Sequence, residues 1–314
     1  MRAYVLQRLL LAVPVVVAVS LIVFTLVRML PGDIAAATLG QSATEERLTA
    51  LRKELGLDRS MPEQYADWAG HAVVGDLGTS MRTHQSVTTS IKDRLPVTFE
   101  LAILSMVVSL LIAIPLGVIS AVKQDTITDY VLRVTAILGL SVPGFWLAIL
   151  IILLPAIWWQ WSAPVGYHSF WEQPWTNLQQ VGRPAIALGV GMAAFVMRMM
   201  RSSLLEVLRQ DYMRTATAKG LPGRVVVLTH GLKNAFIPVL TFLGLQFSAL
   251  LGGSVIMEQI FSLPGLGRLT LDAILTRDYP LIQGTVLFFS VVFVLMNLAV
   301  DLLYAYFDPR VRFA

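Results

Sequence analysis

LLLAVPVVVAVSLIVFTLVRM, residues 9–29, is an apolar run whose single charge, Arg28, stands near its end. A helix needs about 20 such residues to cross the hydrocarbon of a bilayer, so this segment has the length and composition of a membrane span. Comparable runs follow at 98–122, 134–158, 184–204, 235–257 and 281–306. A cleavable signal peptide is the competing reading of the first run, with Ala35-Ala36-Ala37 as a small-residue cleavage site. The run is longer than the apolar region of a signal, and further spans follow it, so we read it as a span.

The whole chain agrees. It is 56% hydrophobic and 14% charged, with a mean hydropathy of +0.69, whereas soluble domains carry about a quarter charged residues. The net charge is +4. Its Lys and Arg residues lie beside the apolar runs, a pattern that membrane orientation explains better than nucleic-acid binding does. The absence of cysteine excludes disulfides, thiolate metal ligands and a cysteine nucleophile.

Charge in the short loops sets the expected orientation. With a cytoplasmic N-terminus, the inner segments 1–8, 123–133, 198–233 and 306–314 carry Arg2, Arg8, Lys123, Arg133, Arg198, Arg201, Arg209, Arg214, Lys219, Arg224, Lys233, Arg310 and Arg312. The outer segments 159–183 and 258–280 carry only Arg183, Arg268 and Arg277. The positive-inside rule then places both termini in the cytoplasm. The long first outer segment, 30–97, is expected to fold. Ser42-Ala-Thr-Glu45 reads as a capping box before Leu48, Leu51 and Leu55, with Gly56 as a helix stop. A second helix starts near Met61-Pro62-Glu63 with Tyr65, Trp68 and Ala69 on one face, and Gly75-Asp-Leu-Gly78 reads as a turn. The tryptophans Trp158, Trp159, Trp161, Trp171 and Trp175 suit a headgroup interface.

Between the fourth and fifth runs lies Asp211-Tyr-Met-Arg-Thr-Ala-Thr-Ala-Lys-Gly220-Leu-Pro-Gly223. A short helix of small residues, with Lys219 near its C-terminus to suit the helix dipole, can approach a partner's backbone closely. An ordinary basic loop is the plain alternative. No G-x-x-x-x-G-K-[ST] phosphate loop occurs, so any ATP hydrolysis belongs to another chain. Polar groups in spans are costly and tend to face a cavity or a partner. Ser141 and Pro143 in the third run, and Gln246, Ser248, Ser254 and Glu258 in and just beyond the fifth, are therefore candidates for a translocation path. Gly244, Gly252 and Gly253 would allow close helix packing there. Pro115 and Pro143 are expected to kink their helices. Snorkelling or helix packing is the plain reading for Glu100, Glu258 and Asp301. His71, His84, His168 and His230 are scattered and form no metal site, and no Ser–His pair within the spans suggests a protease.

Tyr212-Met-Arg-Thr-Ala-Thr-Ala-Lys-Gly220, followed by His230-Gly-Leu-Lys-Asn234-Ala-Phe-Ile-Pro238, resembles the coupling-loop signature of dipeptide/oligopeptide-type (peptide/nickel family) binding-protein-dependent ABC importer permeases. The resemblance extends over the chain. It includes Leu55-Gly-Leu-Asp58, Gln64-Tyr65, Gly75-Asp-Leu-Gly78, Leu95-Pro-Val-Thr-Phe-Glu100-Leu and Ser141-Val-Pro-Gly-Phe-Trp146. It continues through Phe261-Ser-Leu-Pro-Gly-Leu-Gly267, Arg277-Asp-Tyr-Pro280 and Asp308-Pro-Arg-Val-Arg312. By resemblance, Arg214, Thr215 and Ala216 fall at the positions of the family's "EAA" motif and Gly220 at its glycine; the acid and the first alanine are replaced.

The resemblance implies an all-α membrane protein with the type I ABC importer permease fold. About six transmembrane helices (9–29, 98–122, 134–158, 184–204, 235–257, 281–306) would be joined by a small helical outer insertion at 30–97 and a coupling loop at 205–233. It implies that Asp211, Tyr212, Arg214, Thr215, Ala216, Ala218, Lys219 and Gly220 meet an ATPase. The implied partners are a second homologous permease, two cytoplasmic ATPase subunits holding ATP and Mg, an extracytoplasmic solute-binding protein and a peptide or similar solute. This chain would be non-catalytic, bind no cofactor or metal, and reside in the bacterial inner membrane. The alternatives are an autonomous ion-coupled transporter or channel, or an importer of nickel or oligosaccharides.

Overall fold

The computed structural model of the chain describes residues 2–29, 44–54 and 56–307. Among these the regular structure is helical, apart from one isolated bridge between Thr79 and Ser86. In order, the helices are α1 (Arg2–Met29), α2 (Glu45–Glu54), α3 (Met61–Val73), α4 (Val87–Val122), α5 (Ile127–Ser141), α6 (Gly144–Trp159), α7 (Pro174–Leu208) and α8 (Asp211–Ala218). A helical turn at Gly223–Val225 and a π-helical turn at Val226–Gly231 lead into α9 (Leu232–Gly253), followed by α10 (Val255–Ile260), α11 (Leu266–Thr276) and α12 (Tyr279–Phe307). The helices over Leu10–Met29, Val87–Val122, Pro174–Leu208, Gly223–Gly252 and Tyr279–Val300 are long and apolar enough to cross a membrane. A sixth crossing follows if α5 and α6 act as one span.

That pair departs from the single kinked helix expected over 134–158. α5 and α6 meet at 92°. Val142 and Pro143 are both extended, with φ/ψ of −81°/121° and −61°/131°. Proline disfavours helical geometry in the residue before it, so the chain breaks there rather than bending smoothly. The span expected at 235–257 ends at Gly253, and Ser254 and Glu258 fall in the turn and the short α10 beyond it. The segment 258–280, read only as an outer loop, carries the 11-residue α11.

The chain forms two compact units. The first contains residues 1–97 and 264–298. Here Ser60 N–H donates to Glu63 Oε2 at 3.1 Å, fixing the start of α3. Tyr65 and Trp68 of α3 pack on Phe24 of α1 (ring centroids 5.5 and 5.8 Å), and the hydroxyls of Ser20 and Tyr65 lie 2.8 Å apart. The expected face of α3 thus meets α1. At α2, Thr44 Oγ1 accepts the Arg47 N–H at 3.5 Å; Ser42 and Leu55 lie outside the described residues. Gly75 and Gly78 have φ of +88° and +86°, and Asp76 Oδ1 accepts the Gly78 N–H at 2.9 Å. That is an Asx turn made possible by glycine's freedom at positive φ. Asp278, buried at the N-terminus of α12, accepts from Ser80 Oγ at 2.5 Å and from the Met81 and Leu281 N–H groups at 3.3 and 3.4 Å. One carboxylate therefore caps a span and ties down the loop after α3.

The second unit contains residues 98–263 and 299–314 and is built around α7. α5, α6 and α9 all pack against α7, and the core between them is rich in small residues, including Ala113, Ala121, Ala136, Ala193, Ala194 and Ala235. Helices approach closely where side chains are small. A Cβ on Gly189 would lie 2.7 Å from the Ser105 carbonyl oxygen, and one on Gly117 would lie 2.9 Å from that of Met197. Gly244 meets Val300 in the same way, whereas Gly252 has open space. Asp129 of α5, fully buried, accepts two hydrogen bonds from the Arg201 guanidinium at 2.8 and 2.7 Å. It also accepts from Ser120 Oγ at 2.5 Å and the Asp125 N–H at 3.1 Å. This bidentate pair links α4, α5 and α7 and fills the carboxylate's lone pairs.

Candidate functional site

Residues 211–218 form the expected short helix, α8. Asp211 stands in its first turn, where a carboxylate suits the helix dipole. Gly220 ends the segment at φ +78°. Asp211, Tyr212, Arg214, Thr215, Ala218, Lys219 and Gly220 are exposed and Ala216 is half-buried. The Arg214–Asp211 ion pair, 3.5 Å apart, lies in solvent, so it contributes little to holding the helix.

What holds α8 is a residue that neither charge nor motif singles out. Met213 is buried, and its Cε lies 3.4 Å from where a Cβ on Gly231 would stand. Leu204 Cδ1 lies 3.1 Å from the same point. The missing side chain at Gly231 is thus the seat for Met213, at the end of the π-turn that enters α9. A π-turn is a costly local geometry that is often found at functional sites. Asn234 Nδ2 adds a 2.9 Å hydrogen bond to the Tyr212 hydroxyl from the first turn of α9. A shallow groove of about 430 Å³ runs beside Leu208, Met213, Arg214, Thr217, Ala218 and Val226. The sequence does offer a signal for Met213: it is the one long apolar side chain in an otherwise small and polar octet.

The candidate path residues separate into two groups. Ser141 and Pro143 are exposed at the bend between α5 and α6, and Gln246 is half-buried on α9. Ser248 is buried and bonds the Gly244 carbonyl at 3.2 Å. Ser254 and Glu258 are also buried: Glu258 Oε1 accepts from Ser254 Oγ and Thr98 Oγ1, each at 2.8 Å. The structure thus brings Ser254 and Glu258 together in a knot with α4, while the neighbouring Met257 Cε lies 3.4 Å from where a Cβ on Gly144, the residue after Pro143, would stand. Glu100 Oε2 accepts the Tyr167 hydroxyl at 2.8 Å, and the side chain of Asp301 lies outside the described residues. His168 is held by Gln180, and among the described residues no group of three or more His, Asp or Glu is placed to hold a metal ion.

Burial, backed by the Glu100 carboxylate, raises the Tyr167 hydroxyl above its ordinary value of 10.0. On the same side of the sequence, Arg183 lies over the rings of Trp161 and Phe261, each 5.6 Å away. Trp158, Trp159, Trp171 and Trp175 are exposed, as an aromatic interface requires.

A helical membrane component that presents a short, exposed helix anchored to the root of α9 and carries no phosphate loop is the class that these features define. Residues 113–313 match the family described as "Binding-protein-dependent transport system inner membrane component" and residues 1–102 its N-terminal region, and the chain belongs to that family. It is 43% identical over 313 residues to a putative peptide transport system permease protein of Brucella abortus (strain 2308), with 100% of both chains covered. It is 39% identical to a dipeptide transport system permease protein of Alkalihalophilus pseudofirmus, again with 100% of each covered. A glutathione transport system permease protein of Escherichia coli O6:H1 is 42% identical over 313 residues, with 100% of both chains covered. Among solved structures, an amino acid ABC transporter crystallised with histidines shares the fold at a TM-score of 0.50 and 15% identity, covering 71% of this chain and 94% of that one.

Proposed function

We propose that this chain is the transmembrane permease subunit of an ATP-driven importer of di- or oligopeptides in the bacterial inner membrane, with both termini in the cytoplasm. It forms the path with a second homologous permease and couples to two cytoplasmic ATPase subunits that hold ATP and Mg. An extracytoplasmic solute-binding protein delivers the peptide. The observation that carries this reading is α8, an exposed helix of small residues anchored through Met213 and Tyr212 to the root of α9. Peptide as cargo is supported by the names of relatives at about 40% identity over their full length. This chain binds no cofactor and hydrolyses nothing.

In this mechanism, ATP binding draws the ATPases together and moves α8, and the movement passes to α9. The path then opens outward to receive peptide, and hydrolysis resets it. Such a cycle requires contacts that differ between the two states. Ser141, Pro143 and Gln246, which are not buried, face the path, and the Ser254–Glu258 knot fixes the end of α9 beside it. The test is gentle extraction of the chain from its native membrane with everything that accompanies it. A second permease and an ATPase should co-purify, and both ATPase recovery and peptide uptake should fall when Thr215 and Ala216 are replaced by arginine. Recovery of the chain alone, still transporting after reconstitution, would sink the importer reading in favour of an autonomous transporter.

A further inference from the structure

Within the first unit, a cavity of about 420 Å³ lies where α1 reaches the end of its apolar run, bounded by α1, α3, the loop after α3 and the start of α12. Five of its lining residues carry a buried side-chain atom without a hydrogen-bond partner among the described residues: Arg28 Nε, Gln64 Oε1, Trp68 Nε1, Tyr279 OH and Gln283 Nε2. Tyr279 and Gln283 are only 2% and 4% exposed. Buried polar groups are nearly always satisfied, and leaving them unmet is expensive. Five around one space therefore point to a missing partner.

The chemistry of that partner can be read from the set. Arg28, Trp68, Tyr279 and Gln283 offer donors. Gln64 gives both of its N–H bonds to the Leu57 and Arg59 carbonyls (3.3 and 2.9 Å), so its free oxygen is an acceptor. Asp67 and Asp76 stand on the cavity's exposed rim beside Arg59 and His71. Donors within and carboxylates at the rim suit a zwitterion, with its anion held inside and its ammonium outside. A second cleft of about 490 Å³ shares Val27 and Tyr279 with this cavity and continues along Val23, Leu26, Ile282 and Val286. It is apolar and lies along the membrane-spanning part of α1.

A soluble zwitterion such as a dipeptide would fill the first space and leave the second empty. We infer that the two spaces together bind one aminophospholipid, its phosphoethanolamine head among Arg28, Trp68, Tyr279 and Gln283 and an acyl chain along Val23, Leu26 and Ile282.

The test uses the full purified chain stripped of lipid, read by native mass spectrometry and by melting temperature as phosphatidylethanolamine is added. The expected result is one retained lipid per chain and a rise in melting temperature. Tyr279→Phe and Gln283→Leu should each weaken lipid binding about tenfold, the effect of losing one charge-assisted hydrogen bond. Leu26→Trp, which fills the apolar cleft, should weaken it comparably. If Gln283→Leu fails to fold, Tyr279→Phe carries the test alone, because it deletes an oxygen that has no protein partner. Equal lipid retention in the parent and all variants would overturn the proposal. So would equal stabilisation by phosphoethanolamine or a dipeptide without acyl chains, which would reassign the cavity to a soluble zwitterion.

Discussion

Single residues decide how closely the spans of the second unit can pack. A Cβ on Gly189 would stand 2.7 Å from both the Ser105 carbonyl oxygen and the Val108 side chain, and neither can yield without moving α4. Gly189→Ala should therefore cost about 1–3 kcal/mol in a detergent unfolding titration. Gly191, two residues on, has nothing within 4 Å, so Gly191→Ala should instead gain up to about 1 kcal/mol from helix propensity. At the buried ion pair, Arg201→Met leaves Asp129 charged and unpaired and should cost about 3–5 kcal/mol, whereas Arg201→Met with Asp129→Leu should recover most of it. Tyr167 offers a pH reading. Its raised value means that the folded state holds the phenol neutral after the unfolded chain has begun to ionise. The stability it contributes is complete below the ordinary value of 10.0 and is lost as pH rises above it. The melting temperature should fall more steeply above that pH in the parent than in Tyr167→Phe. None of these pairs is legible in the sequence. Asp129 and Arg201 are 72 positions apart, and no periodicity connects them; Arg201 reads there only as one of many inner-side cations.

Elements are far more legible, because a bilayer imposes length and apolarity on each span and Met61-Pro62-Glu63 marks the start of α3. The departures have local causes. At Val142-Pro143 a proline kink within one helix is the natural expectation, yet two successive extended residues end α5 outright. α11 hides behind Ser262, Pro264 and Gly265, whose turn chemistry masks the helical spacing that follows. The exposed face of α8 can be read from its small residues. Its anchor cannot, since Met213 finds its seat only when Gly231 is brought beside it. Gly231→Val should fill that seat, displace Met213 and lower ATP-driven peptide uptake at least about tenfold, the equivalent of some 1.4 kcal/mol at the contact, while the chain still inserts in the membrane. Full uptake with normal expression would remove α8 from the transmission route.

For the whole molecule, the sequence supplies its own experimental background, since it contains no cysteine. Single substitutions Lys219→Cys, beyond α8, and Glu172→Cys, in the loop before α7, introduce unique thiols at exposed positions. A membrane-impermeant maleimide applied to intact cells should label Glu172→Cys alone, and opening the cells should expose Lys219→Cys. The reverse pattern would invert the orientation read from loop charge. That orientation and the multi-span class rest on composition summed over the chain, so they survive errors in individual helix ends. The buried knots do not, because they depend on which helices meet.

The seating of Met213 against Gly231, with the Tyr212–Asn234 hydrogen bond beside it, also has a mechanical consequence. A push on a free loop would be absorbed as compliance. Here α8 and the root of α9 are clamped at two adjacent residues, Tyr212 and Met213, so the pair behaves as a stiff elbow. A force applied to its short arm arrives at the long arm as torque, with little slack between them.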